Sequence, residues 1–246
     1  MILKGTMILA KKEIKDSFSS PLIYILGGIF SLLVGWLFFN YLLVSKEFTQ
    51  QTFLQSVFFP IFGNINYIFI FFAPLITMRL FAEERKLATI ELLLTSQLTH
   101  LDIILGKFIS SAVTVFALLA LTFVFPILLA FSGYAEWSMM FSSYLGTYLS
   151  ILCFLSVGLF ASSLTQNQLI AALLAFSLLL GMMFLPLSGT VLNNYLVAQI
   201  LQYFSVLFHT EGFLLGSLKS YDFVYMFSFI GFFLYLTHLS LESRKW

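Results

Sequence analysis

Three histidines, one cysteine and a single concentrated run of charge are the residues that could do chemistry in this chain. Imidazoles bind a metal only where several ligands converge. The sequence puts His100 and His238 near one face of a membrane and His209 in a loop on the other, so no convergence is expected. Cys153 sits inside an apolar run and reads as a small packing residue. A single cysteine also excludes an internal disulfide or a cysteine-based metal centre. No Gly-x-x-x-x-Gly-Lys-Ser/Thr occurs, so no phosphate-cradling loop of that kind is expected. The sequence therefore assigns no catalytic residue, no cofactor-binding residue and no metal ligand, and nothing in it points to nucleic acid.

A run of charge lies in residues 79–106, between two uncharged segments of membrane-spanning length. Each charge at the bilayer centre costs about 2.5–3.5 kcal/mol on insertion scales, so the segment must emerge on one face. Pro74 precedes it and is expected to kink the preceding helix. Glu83 and Glu84 suit the first turn of a new helix, where the backbone dipole favours acids. Leu87, Ile90 and Leu94 then share a face, with Glu91 at its edge. Thr95 and Ser96 suit its end. Thr99 and Asp102 have the spacing of a capping box that starts the next helix. The sequence predicts a short helix lying parallel to the membrane, offering the leucines 92–94 to a partner. A merely solvated loop needs no such apolar tip. Arg79, Glu83, Glu84, Glu91, Leu92, Leu93 and Thr95 are the candidate docking residues.

The elements that hold this segment follow from composition. Of 246 residues, 60% are hydrophobic and 9% are charged, against about 25% charged in soluble domains. Water-soluble folds are excluded. Six segments without Asp, Glu, Lys or Arg have spanning length: 21–44, 57–78, 108–131, 141–163, 168–188 and 223–241. They are expected to be helices, because a spanning segment must satisfy its own backbone. Residues 1–20 carry Lys4, Lys11, Lys12 and Lys15 beside a stripe of Leu3, Met7, Ala10, Ile14 and Phe18, the pattern of an interfacial amphipathic helix. The apolar run after it is too long for a signal-peptide core, and cleavage is not expected. With six spans both ends lie on one side. That side collects Lys4, Lys11, Lys12, Lys15, Arg79, Arg85, Lys86, Lys107, Arg244 and Lys245, leaving Lys46 and Lys219 opposite, which makes it cytoplasmic. Of the outer loops, only 189–222 has room for structure, and it is expected to hold a short amphipathic helix from Leu192 to Phe204. Gly27, Ser31 and Gly35 form a small-residue seam, read first as packing within the chain and second as a subunit contact.

At these residues the chain resembles a known family. Pro74-Leu75-Ile76-Thr77-Met78-Arg79, Glu83-Glu84, Thr89-Ile90-Glu91-Leu92-Leu93-Leu94-Thr95-Ser96 and Gly106-Lys107 are similar to the permease subunits of ABC-2-type transporters. The C-terminal Ser240-Leu241-Glu242-Ser243-Arg244-Lys245-Trp246 resembles the gliding-motility-associated group of these permeases. Gln97 stands where the family often has proline, which would alter how the preceding helix ends. The resemblance implies an all-α polytopic membrane protein, a six-helix ABC-2 (type V exporter-like) permease of the cell inner membrane, with both termini cytoplasmic. It implies a cytoplasmic ABC ATPase as partner, a second permease copy or related membrane subunit, and a larger auxiliary membrane protein with an extracytoplasmic domain. The segment 83–95 would be the coupling helix that transmits ATP hydrolysis to the spans, for export or for mechanical work in gliding. Two other readings compete. A stand-alone carrier would need a polar path, for which Asn40, Asn64 and Asn66 are weak material. A non-transporting scaffold is the other.

Overall fold

The computed structural model describes residues 2–44, 53–88, 98–131, 137–191 and 195–243, and every regular element among them is helical. In chain order these are α1 (Ile2–Ser19), α2 (Pro21–Val44), α3 (Phe53–Lys86), α4 (His100–Ala120), a 3-10 turn (Leu121–Phe123), α5 (Val124–Phe131), α6 (Trp137–Leu164), α7 (Gln168–Val191), α8 (Tyr195–Tyr203), α9 (Val206–Leu214) and α10 (Ser220–Glu242). Five helical stretches are long and apolar enough to cross a membrane: Pro21–Val44, Val57–Lys86, His100–Phe131, Trp137–Leu164 and Ser220–Glu242. The described apolar part of α7, Gln168–Phe184, is shorter.

The bundle is organised around α6. A helix that is apolar on all sides belongs inside, and Ile151, Leu155, Val157 and Leu159 of α6 are completely buried. Around it pack α3, α7, α9, α10 and α4. α10 is the opposite case, with Val224, Phe227, Phe232 and Tyr235 all more than half exposed, as suits a lipid-facing helix. Small residues set how close the neighbours come. A Cβ on Gly158 would collide with the Thr77 side chain on α3, and one on Gly146 with Phe213 on α9. Thr77 cannot turn aside freely, because its hydroxyl donates to the Ala73 carbonyl at 2.8 Å. Gly158→Val is therefore expected to separate α3 from α6 and cost about 1–3 kcal/mol by overpacking. Thermal unfolding in mild detergent measures it, and an unshifted midpoint would contradict this packing.

Two expectations need correction. α3 runs unbroken through Pro74 to Lys86, so Glu83 and Glu84 lie in its last turns and do not open a new helix. Phe81, Ala82 and Arg85 are buried there, and that packing extends the helix beyond its uncharged part. The chain leaves α3 through Leu87 and Ala88, the latter at φ 55°. α4 begins at His100, where the Thr99–Asp102 capping box is expected to start it. Second, α1 buries Thr6, Leu9 and Ala10 against α4 while Met7 is 75% exposed, so the predicted stripe is rotated. The amphipathic helix expected in 189–222 is present as α8, and a second helix, α9, follows it.

Candidate functional site

The charged end of the bundle is built where α1, α3 and α4 meet, and a buried lysine is its centre. The Lys107 ammonium lies 2.7 Å from Glu84 Oε1 and 3.1 Å from Glu13 Oε1, with its side chain 1% exposed. The Phe81 ring covers it at 5.4 Å, a cation–π contact. Burial of an ion is costly unless partners surround it, and here two carboxylates and a ring face do so. The three charged residues come from three helices, so this contact ties α1 and the end of α3 to α4.

Hydrogen bonds reinforce the same junction. The Thr99 hydroxyl accepts from the Asp102 backbone N–H at 3.2 Å while Asp102 Oδ2 accepts from Thr99 N–H at 3.1 Å, the capping box the sequence predicts. Asp102 Oδ1 also accepts from the Thr6 hydroxyl at 2.6 Å, which joins α1 to the start of α4. Gly106 makes this crossing close, since a Cβ there would sit 3.1 Å from Leu9. On the far side, Ser162 of α6 donates to the Met78 carbonyl and accepts from the Phe81 and Ala82 N–H groups, gripping the end of α3. Arg79 donates through Nη1 to Ser20 Oγ at 3.0 Å, between α3 and the turn before α2.

Of the candidate docking residues, Arg79, Glu83 and Glu84 fall among the described residues. Arg79 and Glu84 take part in the contacts just given, Glu83 is half-buried, and Leu87 beyond them is 64% exposed. Glu91, Leu92, Leu93 and Thr95 lie outside the described residues. The small-residue seam does not act as one face. Gly27 is buried with Leu118 of α4 and Leu121 of the 3-10 turn against it, Gly35 approaches Phe125, and Ser31 is exposed. Its ordered contacts are thus within the chain.

Sequence reasoning missed Glu13 as a partner of Lys107 and the proximity of two histidines. His100 and His238 approach with ring centroids 6.0 Å apart, and with Glu242 their ligand atoms lie within 4.8 Å of one another. The expectation that the histidines stay apart therefore fails for this pair. Glu242 is mostly exposed and sits one turn from His238, so a helical i,i+4 contact accounts for much of the cluster. The partners of His209 are also visible only in the structure. Its Nδ1 lies 2.6 Å from Asp222 Oδ1, with both side chains buried, and its Nε2 lies 3.0 Å from the Tyr203 carbonyl at the end of α8. No spacing rule could have revealed that pairing, because it depends on α9 folding back against α10.

The arrangement gives a charged junction held by three helices, from which an exposed apolar residue leads into a segment between two membrane helices. It offers no nucleophile or activated base aimed into a substrate-sized cleft among the described residues. No curated protein matches the chain. The family model described as "ABC-2 family transporter protein" matches residues 7–215, which include the charged junction and all but the last of the five apolar helices. The chain belongs to the ABC-2 transporter family, as a multi-pass membrane permease.

Proposed function

We propose that this chain is the membrane subunit of an ATP-driven transporter and that residues 79–97 couple it to a separate cytoplasmic ATPase. The observation that carries the reading is the rigid root of that segment. Glu84, Lys107 and Glu13 lock α3, α4 and α1 together directly beside the exposed Leu87. A push delivered beyond Leu87 would then move three helices as one body, and the Ser162 contact would pass it on to α6. Packed elements transmit displacement in this way because a dense core yields little. In this reading residues 168–188 complete six spans, both termini and the coupling segment face the cytoplasm, and Glu91, Leu92, Leu93 and Thr95 contact the ATPase. Arg79 and Glu84 support the segment from beneath. The ten-to-two distribution of Lys and Arg supports the orientation. A second permease copy or related subunit completes the pore. The residues after Ser240 favour a gliding-associated system in the inner membrane, with export or mechanical work as its output.

The test is co-purification with the candidate ATPase from membranes. Leu87→Asp and Leu92→Asp are each expected to reduce ATPase association by at least tenfold, which corresponds to about 1.4 kcal/mol. Insertion and the monodisperse elution of the permease should be unchanged. Glu84→Lys is a poorer probe, since it breaks the Lys107 contact as well. Wild-type association in both leucine variants would overturn the reading. Transport by the purified chain alone in liposomes would favour the stand-alone carrier, and ATP turnover with no solute moved would favour the scaffold.

A further inference from the structure

Beside the Lys107 junction lies a cavity of about 410 Å3, bounded by α1, the start of α2, the end of α3 and Lys107 of α4. Its two halves differ in chemistry. Leu22 and Ile23 of α2 and Leu75 and Ile76 of α3 form an apolar wall, and all four belong to helices apolar enough to cross a membrane. Arg79, Glu83 and the polar residues of α1 form the other wall. A cavity that changes from hydrocarbon-like to charged over its own length matches the headgroup, glycerol and first methylenes of a membrane lipid.

The charges identify which lipid. Lys107 is taken up by Glu13 and Glu84. Lys12 and Asp16 stand 4.0 Å apart with side chains about 60% exposed, so they face water and each other. Two lining charges remain, Arg79 and Glu83. They are one helical turn apart on α3, yet no ion pair joins them. Arg79 uses Nη1 on Ser20, while its Nε is buried without a hydrogen-bond partner among the described residues. A phosphate oxygen is the acceptor that the planar guanidinium fork suits best. Glu83 forms no ion pair among the described residues and is half-buried at the same cavity. Among the described residues, a cation and an anion that both lack an ion-pair partner are complementary to a zwitterion. An anionic headgroup would satisfy Arg79 but meet the Glu83 carboxylate. A choline headgroup would bring positive charge but no N–H to donate.

We propose that this cavity binds a phosphatidylethanolamine-type phospholipid. The phosphodiester accepts from the Arg79 guanidinium, the primary ammonium donates to the Glu83 carboxylate, and the acyl chains leave along Leu22, Ile23, Leu75 and Ile76. The lipid would be a wedge between α1 and the root of the charged segment, so its presence would set the spacing of those elements. The proposal uses only the apolar helices and this cavity. It stands or falls apart from ATPase docking, because it is tested on the permease without any ATPase.

The experiment is native mass spectrometry of the full chain released from nanodiscs containing equal parts phosphatidylethanolamine, phosphatidylcholine and phosphatidylglycerol. One phosphatidylethanolamine retained per chain is expected, at least tenfold preferred over either other lipid. Arg79→Gln should lower retention of all three at least tenfold. Glu83→Gln should keep phospholipid bound but reduce the preference for ethanolamine over choline to less than threefold. Ile23→Trp, which fills the apolar half and leaves both charges in place, should lower retention like Arg79→Gln and so covers the case in which that variant misfolds. Equal retention of the three lipids by the wild type would overturn the proposal. So would undiminished phosphatidylethanolamine in Arg79→Gln or Ile23→Trp. Displacement of the signal by millimolar inorganic phosphate would also overturn it, since a free anion would then be the ligand.

Discussion

Lys107→Met is expected to destabilise the protein by about 3–5 kcal/mol, because removing one partner of a buried ionic cluster strands the others. Glu84 and Glu13 would be left facing one another with side chains only 15% and 12% exposed. Like charges at such range repel, and neither has enough water to compensate. The loss should appear as early thermal unfolding in mild detergent and a broadened elution profile. The companion experiment separates charge from packing. Lys107→Met combined with Glu13→Gln and Glu84→Gln should recover most of the stability, since a neutral, well-packed replacement of a buried ionic cluster is often close to neutral in energy. A Lys107→Met variant as stable as the wild type would show that the cluster holds nothing together. A triple variant no better than the single one would show that packing against Phe81, and not charge, is what Lys107 provides. Either result would remove the rigid root on which the proposed coupling rests.

Asp222→Ala is expected to cost a comparable 3–5 kcal/mol, roughly the range for breaking a buried charged hydrogen bond. The His209 and Asp222 side chains are 0% and 4% exposed, and the Tyr225 ring stacks on the imidazole at 3.9 Å. The Tyr225 hydroxyl in turn donates to the Phe204 carbonyl at 2.7 Å. These residues fasten α8 and α9 to the start of α10, so the damage should be local to that end. Limited proteolysis should cut within residues 195–219 of the variant and spare the rest. A double-mutant cycle with His209→Ala gives the sharper reading. The double variant should cost little more than either single one, because each single change already strands the other group. Simple additivity would mean that the two residues act independently, contrary to the 2.6 Å contact.

The helical membrane class was legible because its signals are local or statistical. Spanning length, absence of charge and the bias of Lys and Arg need no knowledge of which helix lies beside which. The Thr99–Asp102 capping box was legible for the same reason, since its partners are three residues apart. The end of α3 was misread although its residues were noticed. Paired glutamates fit a helix start by propensity, but burial of Phe81 and Ala82 and the Lys107 counter-charge make continuation the better solution. Tertiary packing outweighs such preferences because a propensity is worth well under 1 kcal/mol per residue. The same limit applied to α1, where a stripe of apolar residues suggested one face and Gly106 on α4 allowed another to pack.

By itself, then, the sequence determined that this chain is a set of apolar helices of spanning length with a run of charge between two of them. Only the tertiary structure decided which charges meet. Glu13 and Lys107 are 94 residues apart and Thr6 and Asp102 are 96 apart, yet each pair is in hydrogen-bond contact. Nothing in local spacing encodes such a meeting. It follows from the close crossing of α1 and α4 over Gly106, and a charge carried into that dry junction must find its opposite there or be too costly to bury.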